Sequence, residues 1–195
     1  MLTQSPRLVA WEITRSCNLH CAHCRASSTN EDYPGELTTE ECFNLIDSIV
    51  RLGKPILILT GGEPLCRNDF FDIAKYASEK GLRVALGSNG TLIDKAICAK
   101  LKEIPISRLA ISIDFPIPTL QDEFRGASGS FNAAIAGIEN AIEEGLEVQI
   151  NSTVTKLNDR YLEDLLTLAQ DMKAVAFHPF MLVPMGRGKA LASQE

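Results

Sequence analysis

The sequence is defined first by what it has little of. Nineteen Lys and Arg face 25 Asp and Glu, for a net charge of −6, and no two basic residues are adjacent. That lack of a basic footprint excludes recruitment by nucleic acid or by an anionic membrane surface. No window approaches the roughly 18 consecutive apolar residues of a membrane-spanning helix. The N-terminal apolar stretch Leu8–Trp11 is interrupted at once by Glu12 and Arg15, so it is not expected to act as a signal peptide. Six cysteines in 195 residues are too sparse for a disulfide scaffold. There is no Gly/Ser linker, low-complexity segment, nucleophile elbow, convincing carboxylate pair or strand-end Schiff-base lysine. The expected compartment is the cytoplasm, where thiols stay reduced and cysteines read as ligands or catalysts before they read as bridges.

What is present is the balance of a single globular domain, with 45% hydrophobic and 23% charged residues. Short Val/Ile/Leu-rich runs at 8–14, 56–60, 83–87, 108–114, 147–154 and 174–183 alternate with amphipathic stretches at 38–52, 69–80, 93–103, 130–144 and 161–172. Thr38-Thr39-Glu40-Glu41 is an N-cap signal, and Gly53, Gly81 and Gly145 follow three of the helices. Near-continuous apolar runs predict parallel strands buried on both faces. Six strand–helix units fit this length, whereas a closed eight-unit barrel takes about 250 residues. The expected fold is therefore α/β, a partial (β/α)6 barrel with six parallel strands. Two longer connections are read as loops at 15–37 and 115–130.

In such folds ligands sit at the carboxyl ends of the strands. Polar and Gly-rich segments collect there. They are Cys17-x3-Cys21-x2-Cys24 after the first strand, Gly61-Gly62-Glu63-Pro64 after the second and Ser88-Asn89-Gly90 after the third. Ser112-Ile113-Asp114 and Asn151-Ser152-Thr153 end the next two. Three thiolates within eight residues suit a soft metal centre. On their own they also suit a structural zinc with His20 or His23 as fourth ligand, although a second cysteine pair is absent. In a four-iron cluster, three cysteines would leave one iron open for a reactant.

The cysteine motif after strand one, with Gly-Gly-Glu-Pro after strand two, resembles the radical S-adenosylmethionine (SAM) superfamily. The resemblance implies a 4Fe-4S cluster on Cys17, Cys21 and Cys24, with SAM chelating the open iron and cleaved reductively to a 5′-deoxyadenosyl radical that abstracts hydrogen. It implies that the Gly61 and Gly62 carbonyls and Glu63 accept from the SAM ammonium. His23 would lie against adenine, Ser112 and Arg125 would bind the carboxylate or ribose, and Asn89 would add a polar contact. A flavodoxin or ferredoxin would supply the electron.

Residues 6–26, Asp114, Phe124-Arg125-Gly126 and Leu182–Gly188 are more narrowly similar to the subgroup with a C-terminal SPASM extension. Within it they are most similar to enzymes that trim tetrapyrrole side chains in alternative haem and haem d1 biosynthesis; peptide-modifying maturases share much of the pattern. Phe115 stands where those relatives usually have glycine. Residues 1–195 are expected to form the core alone, without the cysteine-rich extension. SAM cleavage would then survive while substrate turnover is weak. The competing reading is a non-catalytic module that binds zinc or a cluster.

Cys42, Cys66 and Cys98 are expected to pack as small hydrophobes and His178 to lie in the core. Arg187 is read as either a surface ion pair or an anion contact.

Overall fold

A computed structural model describes residues 5–192. Six parallel strands lie in chain order in one sheet: β1 (Leu8–Thr14), β2 (Ile56–Gly61), β3 (Arg83–Ser88), β4 (Leu109–Ser112), β5 (Val148–Val154) and β6 (Ala176–Met181). β1 and β6 are the two edges, so the sheet is open, as the unit count predicts. The helices are α1 (Thr39–Leu52), α2 (Phe70–Glu79), α3 (Lys95–Glu103), α4 (Pro118–Arg125), α5 (Ser130–Glu143), α6 (Leu162–Asp171) and a final turn, α7 (Lys189–Ala192).

The cap signals act as read. Thr38 accepts from the Glu41 amide and the Glu41 carboxylate accepts from the Thr38 amide, a reciprocal capping box. Gly145 takes a φ of 79° just past α5.

The strands differ from the expectation in one respect that matters for the site. Only the convex face is fully buried: Leu57, Leu59, Leu86, Leu109, Ile111 and Ile150 pack against Ile46, Phe70, Ile73, Leu101 and Ile138 of the helices. The concave face is small or polar and partly open. β5 shows why, because Val148, Ile150, Ser152 and Val154 are buried while Asn151 and Thr153 between them face a cavity. That period-two alternation marks a half-buried strand.

β6 is also less buried than its composition suggests. It is an edge strand, where Pro179 costs no ladder bond, and Phe180 and Met181 are exposed. His178 pairs in register with Asn151 and meets Phe180 edge-on. It is exposed rather than a core residue. Cys42 and Cys98 are fully buried, as expected.

The segment 115–130 is not only loop. Its polar α4 begins with Pro118, which needs no hydrogen-bond partner at a helix start. It ends at Gly126, φ 67°. This helix carries Gln121, Phe124 and Arg125 to the inside.

Candidate active site

A cavity of about 360 Å³ opens at the carboxyl ends of the strands. Its floor is the concave sheet, including Thr60, Ala110, Ser112, Asn151 and Thr153, and its roof is the loop after β1 with all three motif cysteines. The root of this loop is fixed by side chains remote in sequence. Glu36 accepts from the Thr14 hydroxyl and the Arg15 amide. Arg67 bonds the carbonyls of Ile13 and Leu37 while paired with Asp69 at 2.6 Å. Further along, the Cys17 amide donates to the Thr29 carbonyl at 3.0 Å.

Each motif sulfur has its own N–H donor. The Leu19 amide lies 3.4 Å from Cys17 Sγ and the Ser28 amide 3.3 Å from Cys24 Sγ. Asn89 Nδ2 lies 3.9 Å from Cys17 Sγ, and Arg125 Nη1 3.9 Å from Cys21 Sγ. Burial pushes the Cys17 thiol up to about 11. It raises Cys21 as well, with the Arg125 charge opposing the rise. A metal must therefore displace protons from these thiols as it binds.

Among the described residues, no three His, Cys, Asp or Glu side chains converge on a point where one ion could sit. A tetrahedral zinc needs its sulfurs together, each about 2.3 Å from the metal. Three thiols lining one cavity are a donor set that suits a polynuclear centre, in which each cysteine takes its own iron. The donor set fits a 4Fe-4S cluster.

Gly61 and Gly62 line the cavity, and the reason for glycine lies behind them. A Cβ on Gly61 would meet the Thr14 carbonyl oxygen at 2.2 Å, and one on Gly62 the Ser16 oxygen at 2.3 Å. The pair lets the end of β2 press against the root of the cysteine loop, with Gly62 N–H bonded to Thr14 O and Glu63 N–H to Ser16 O, both at 2.8 Å.

Glu63 stands behind the glycine pair and is not among the cavity-lining residues. It is fully buried and accepts from the Leu65 and Asn89 amides and from the Ser88 hydroxyl. Burial raises it to about 7. It clamps β2 to β3. Asn89 is committed too, giving Nδ2 to Asn18 Oδ1 at 2.8 Å and taking the Thr91 amide at 2.9 Å.

Across the cavity, Arg125 is 6% exposed and its Nη2 lies 2.6 Å from Asp114 Oδ2. Asp114 is fully buried, with Oδ1 accepting from the Thr153 amide at 2.7 Å. His23 stacks on Phe124 at 4.6 Å and lines the cavity, and burial pushes it down to about 4, so its ring is neutral. Phe115 needs no glycine-like backbone here. Its amide donates to Gln121 and its ring packs between Phe124 and Tyr161. Ser112 reaches the cavity from the end of β4, and His20 is exposed.

Two features escaped the sequence reading. Glu12 and Arg25 pair at the rim, joining β1 to the cysteine loop. The segment after β6 crosses that loop as a strap. Arg187 donates Nε to the Cys21 carbonyl, Nη1 to the Ser28 carbonyl and its amide to the Cys24 carbonyl, at 2.8, 2.8 and 3.0 Å. A Cβ on Gly186 would strike the Arg25 oxygen at 2.3 Å. Arg187 is thus not a surface ion pair; it also lines the cavity, and its Nη2 has no hydrogen-bond partner among the described residues. Gly-Arg-Gly after the last strand was the available signal. Cys66 sits beside the Asn18 amide at the edge of the loop, half-buried.

Comparison with known proteins gives the same picture. The family model described as the Radical SAM superfamily matches residues 11–169. An AdoMet-dependent heme synthase of Oleidesulfovibrio alaskensis is 47% identical over 188 residues, which is 96% of this chain and 48% of that protein. A pre-heme d1 synthase of Dinoroseobacter shibae is 39% identical over 181 residues, 93% of this chain and 45% of that protein. The chain spans about half the length of the curated relatives it matches. Among solved structures, Streptococcus suis SuiB bound to S-adenosylmethionine superposes with a TM-score of 0.80 at 18% identity, over 92% of this chain and 41% of that one. At that identity the likeness shows the fold.

Proposed function

The chain belongs to the radical SAM superfamily, and from that premise we propose that it is the catalytic core of an enzyme that modifies tetrapyrrole side chains in haem biosynthesis. The superfamily uses a 4Fe-4S cluster and SAM; reductive cleavage of SAM there supplies a 5′-deoxyadenosyl radical for hydrogen abstraction. The observation that carries the reading is the set of three thiols lining one cavity, each with an N–H donor. The tetrapyrrole assignment rests on the names of relatives at 39–47% identity.

Cys17, Cys21 and Cys24 would hold the cluster. Gly61, Gly62 and Ser112 line the cavity; the glycine carbonyls would accept from the SAM ammonium, and the Ser112 hydroxyl would bind its carboxylate or ribose. The neutral His23 ring, held flat by Phe124, presents an apolar platform to adenine. Glu63, Asn89 and Asp114 position these groups from behind. The concave wall, from Thr60 to Thr153, is the surface past which a substrate hydrogen would reach the radical. No described helix is long and apolar enough to cross a membrane. The proposed setting is the cytoplasm, with a flavodoxin- or ferredoxin-type electron donor.

The test is anaerobic reconstitution, counting of iron and sulfide, and an assay for 5′-deoxyadenosine with iron coproporphyrins and peptides added in separate arms. About four irons per chain, SAM cleavage and its acceleration by the tetrapyrrole are expected, with loss of cleavage in Cys21→Ala. Stoichiometric zinc in place of iron would favour a binding module, and acceleration by peptide alone would move the substrate class.

A further inference from the structure

We infer that Arg125 sets the reduction potential of the cluster by holding its charge against the Cys21 sulfur, with Asp114 as the anchor that keeps it there. The inference rests on the cluster assignment above and adds a role that differs from contact with SAM. Four N–H donors approach the motif sulfurs among the described residues, and three are neutral: the Leu19 and Ser28 amides and the Asn89 side chain. Arg125 is the charged one, 3.9 Å from Cys21 Sγ.

Its place is over-determined. The carbonyls of Phe124 and Arg125 accept from the Ala22 and His20 amides at 2.8 and 3.1 Å, which docks the end of α4 on the cysteine loop. Nη2 is held at 2.6 Å by Asp114, itself fixed by the Thr153 amide. Arg125 also lines the cavity, and the pair with the fully buried Asp114 carboxylate keeps its guanidinium beside the Cys21 sulfur. Hydrogen bonds to cluster sulfurs and buried charge beside them are the protein's means of tuning an iron–sulfur potential. A fixed positive charge at a ligand thiolate favours the cluster that has gained an electron. The Asp114 carboxylate offsets part of that effect, so the pair sets the potential from both sides.

The experiment is a redox titration of the anaerobically reconstituted protein without SAM, followed by the EPR signal of the reduced cluster. SAM affinity is measured on the same samples. In Arg125→Gln the potential is expected to fall by at least a tenfold change in the one-electron equilibrium, about 59 mV, and Arg125→Lys should restore most of it. Asp114→Asn should move it the other way, because a negative charge is removed and the arginine kept. A merely structural pair would not give shifts of opposite sign.

An unmoved potential in Arg125→Gln, with SAM binding weakened tenfold, would overturn the inference and make Arg125 a SAM contact. If Arg125→Gln takes up no cluster, Asp114→Asn and Arg125→Lys carry the test. Failure of all three to assemble one would assign the pair to scaffolding and also overturn it. Absence of a 4Fe-4S signal in the unsubstituted protein would instead sink the cluster reading itself.

Discussion

The first and second cysteines of the motif are held by opposite chemistry. Around Cys17 the braces are uncharged donors: the Leu19 amide and the Asn89–Asn18–Thr91 amide and hydroxyl chain. Around Cys21 they are ions, with Arg125 and Asp114 on the thiol side and Arg187 on the carbonyl side. Neutral braces can be lost singly at modest cost. A buried ion pair leaves an uncompensated charge when one partner goes, so the Cys21 side is rigid and brittle while the Cys17 side is tolerant.

Removing one ion is the sharpest way to break that contrast. Asp114→Ala is expected to lower unfolding free energy by about 3–5 kcal/mol, because Arg125 stays buried without its partner; urea unfolding of the metal-free protein measures it.

The next test asks whether the Cys17 side is truly neutral. Glu63 clamps β2 to β3 there and is raised to about 7 from an ordinary 4.5 by burial. Between those values the folded chain keeps a proton that the unfolded chain has lost. The stabilisation from the protonated group is thus complete below about 4.5, falls as pH rises and levels off above about 7. Relative to Glu63→Gln, the protein should lose about 3 kcal/mol across that window, seen as unfolding midpoints recorded at several pH values. Parallel pH profiles for the two would refute it.

Asn89→Ala deletes a link in the amide chain and should cost about 1–3 kcal/mol. Its iron content after reconstitution should fall less than that of Asp114→Ala. Smallest is the rim pair: Arg25→Ala, which breaks the partly exposed contact with Glu12, should change stability by about 0–1 kcal/mol. If Arg25→Ala proved as damaging as Asp114→Ala, the distinction between rim and interior would fail.

Sequence alone revealed the parts of the site that are local. Cys17, Cys21 and Cys24 declare themselves by spacing, and Gly61-Gly62 by what only glycine permits. The strands were legible because the convex face must be apolar, and the caps at Thr38 and Gly145 because their signals span a few residues. What was hidden depends on partners far away in the chain. α4 is short and polar, and docking of Phe124 and Arg125 against the cysteine loop, not helical periodicity, gives it its place. The braces on Glu63 were hidden because nothing nearby in sequence says that Ser88 and Asn89 will fold onto it. The polar concave face of β5 was readable in the alternation of Gln149, Asn151 and Thr153, but a Val/Ile-rich window obscures it. β6 reads as core until its edge position is known.

The strap after β6 imposes an order in time. Arg187 is 166 residues from Cys21 and 159 from Ser28. Synthesis proceeds at about 5–20 residues per second, so the cysteine loop is made roughly ten to thirty seconds before the residue that clamps its carbonyls. During that interval the three thiols belong to a loop with one fastening missing. Iron and sulfide delivered early would meet a looser cradle than iron and sulfide delivered after the last strand has folded.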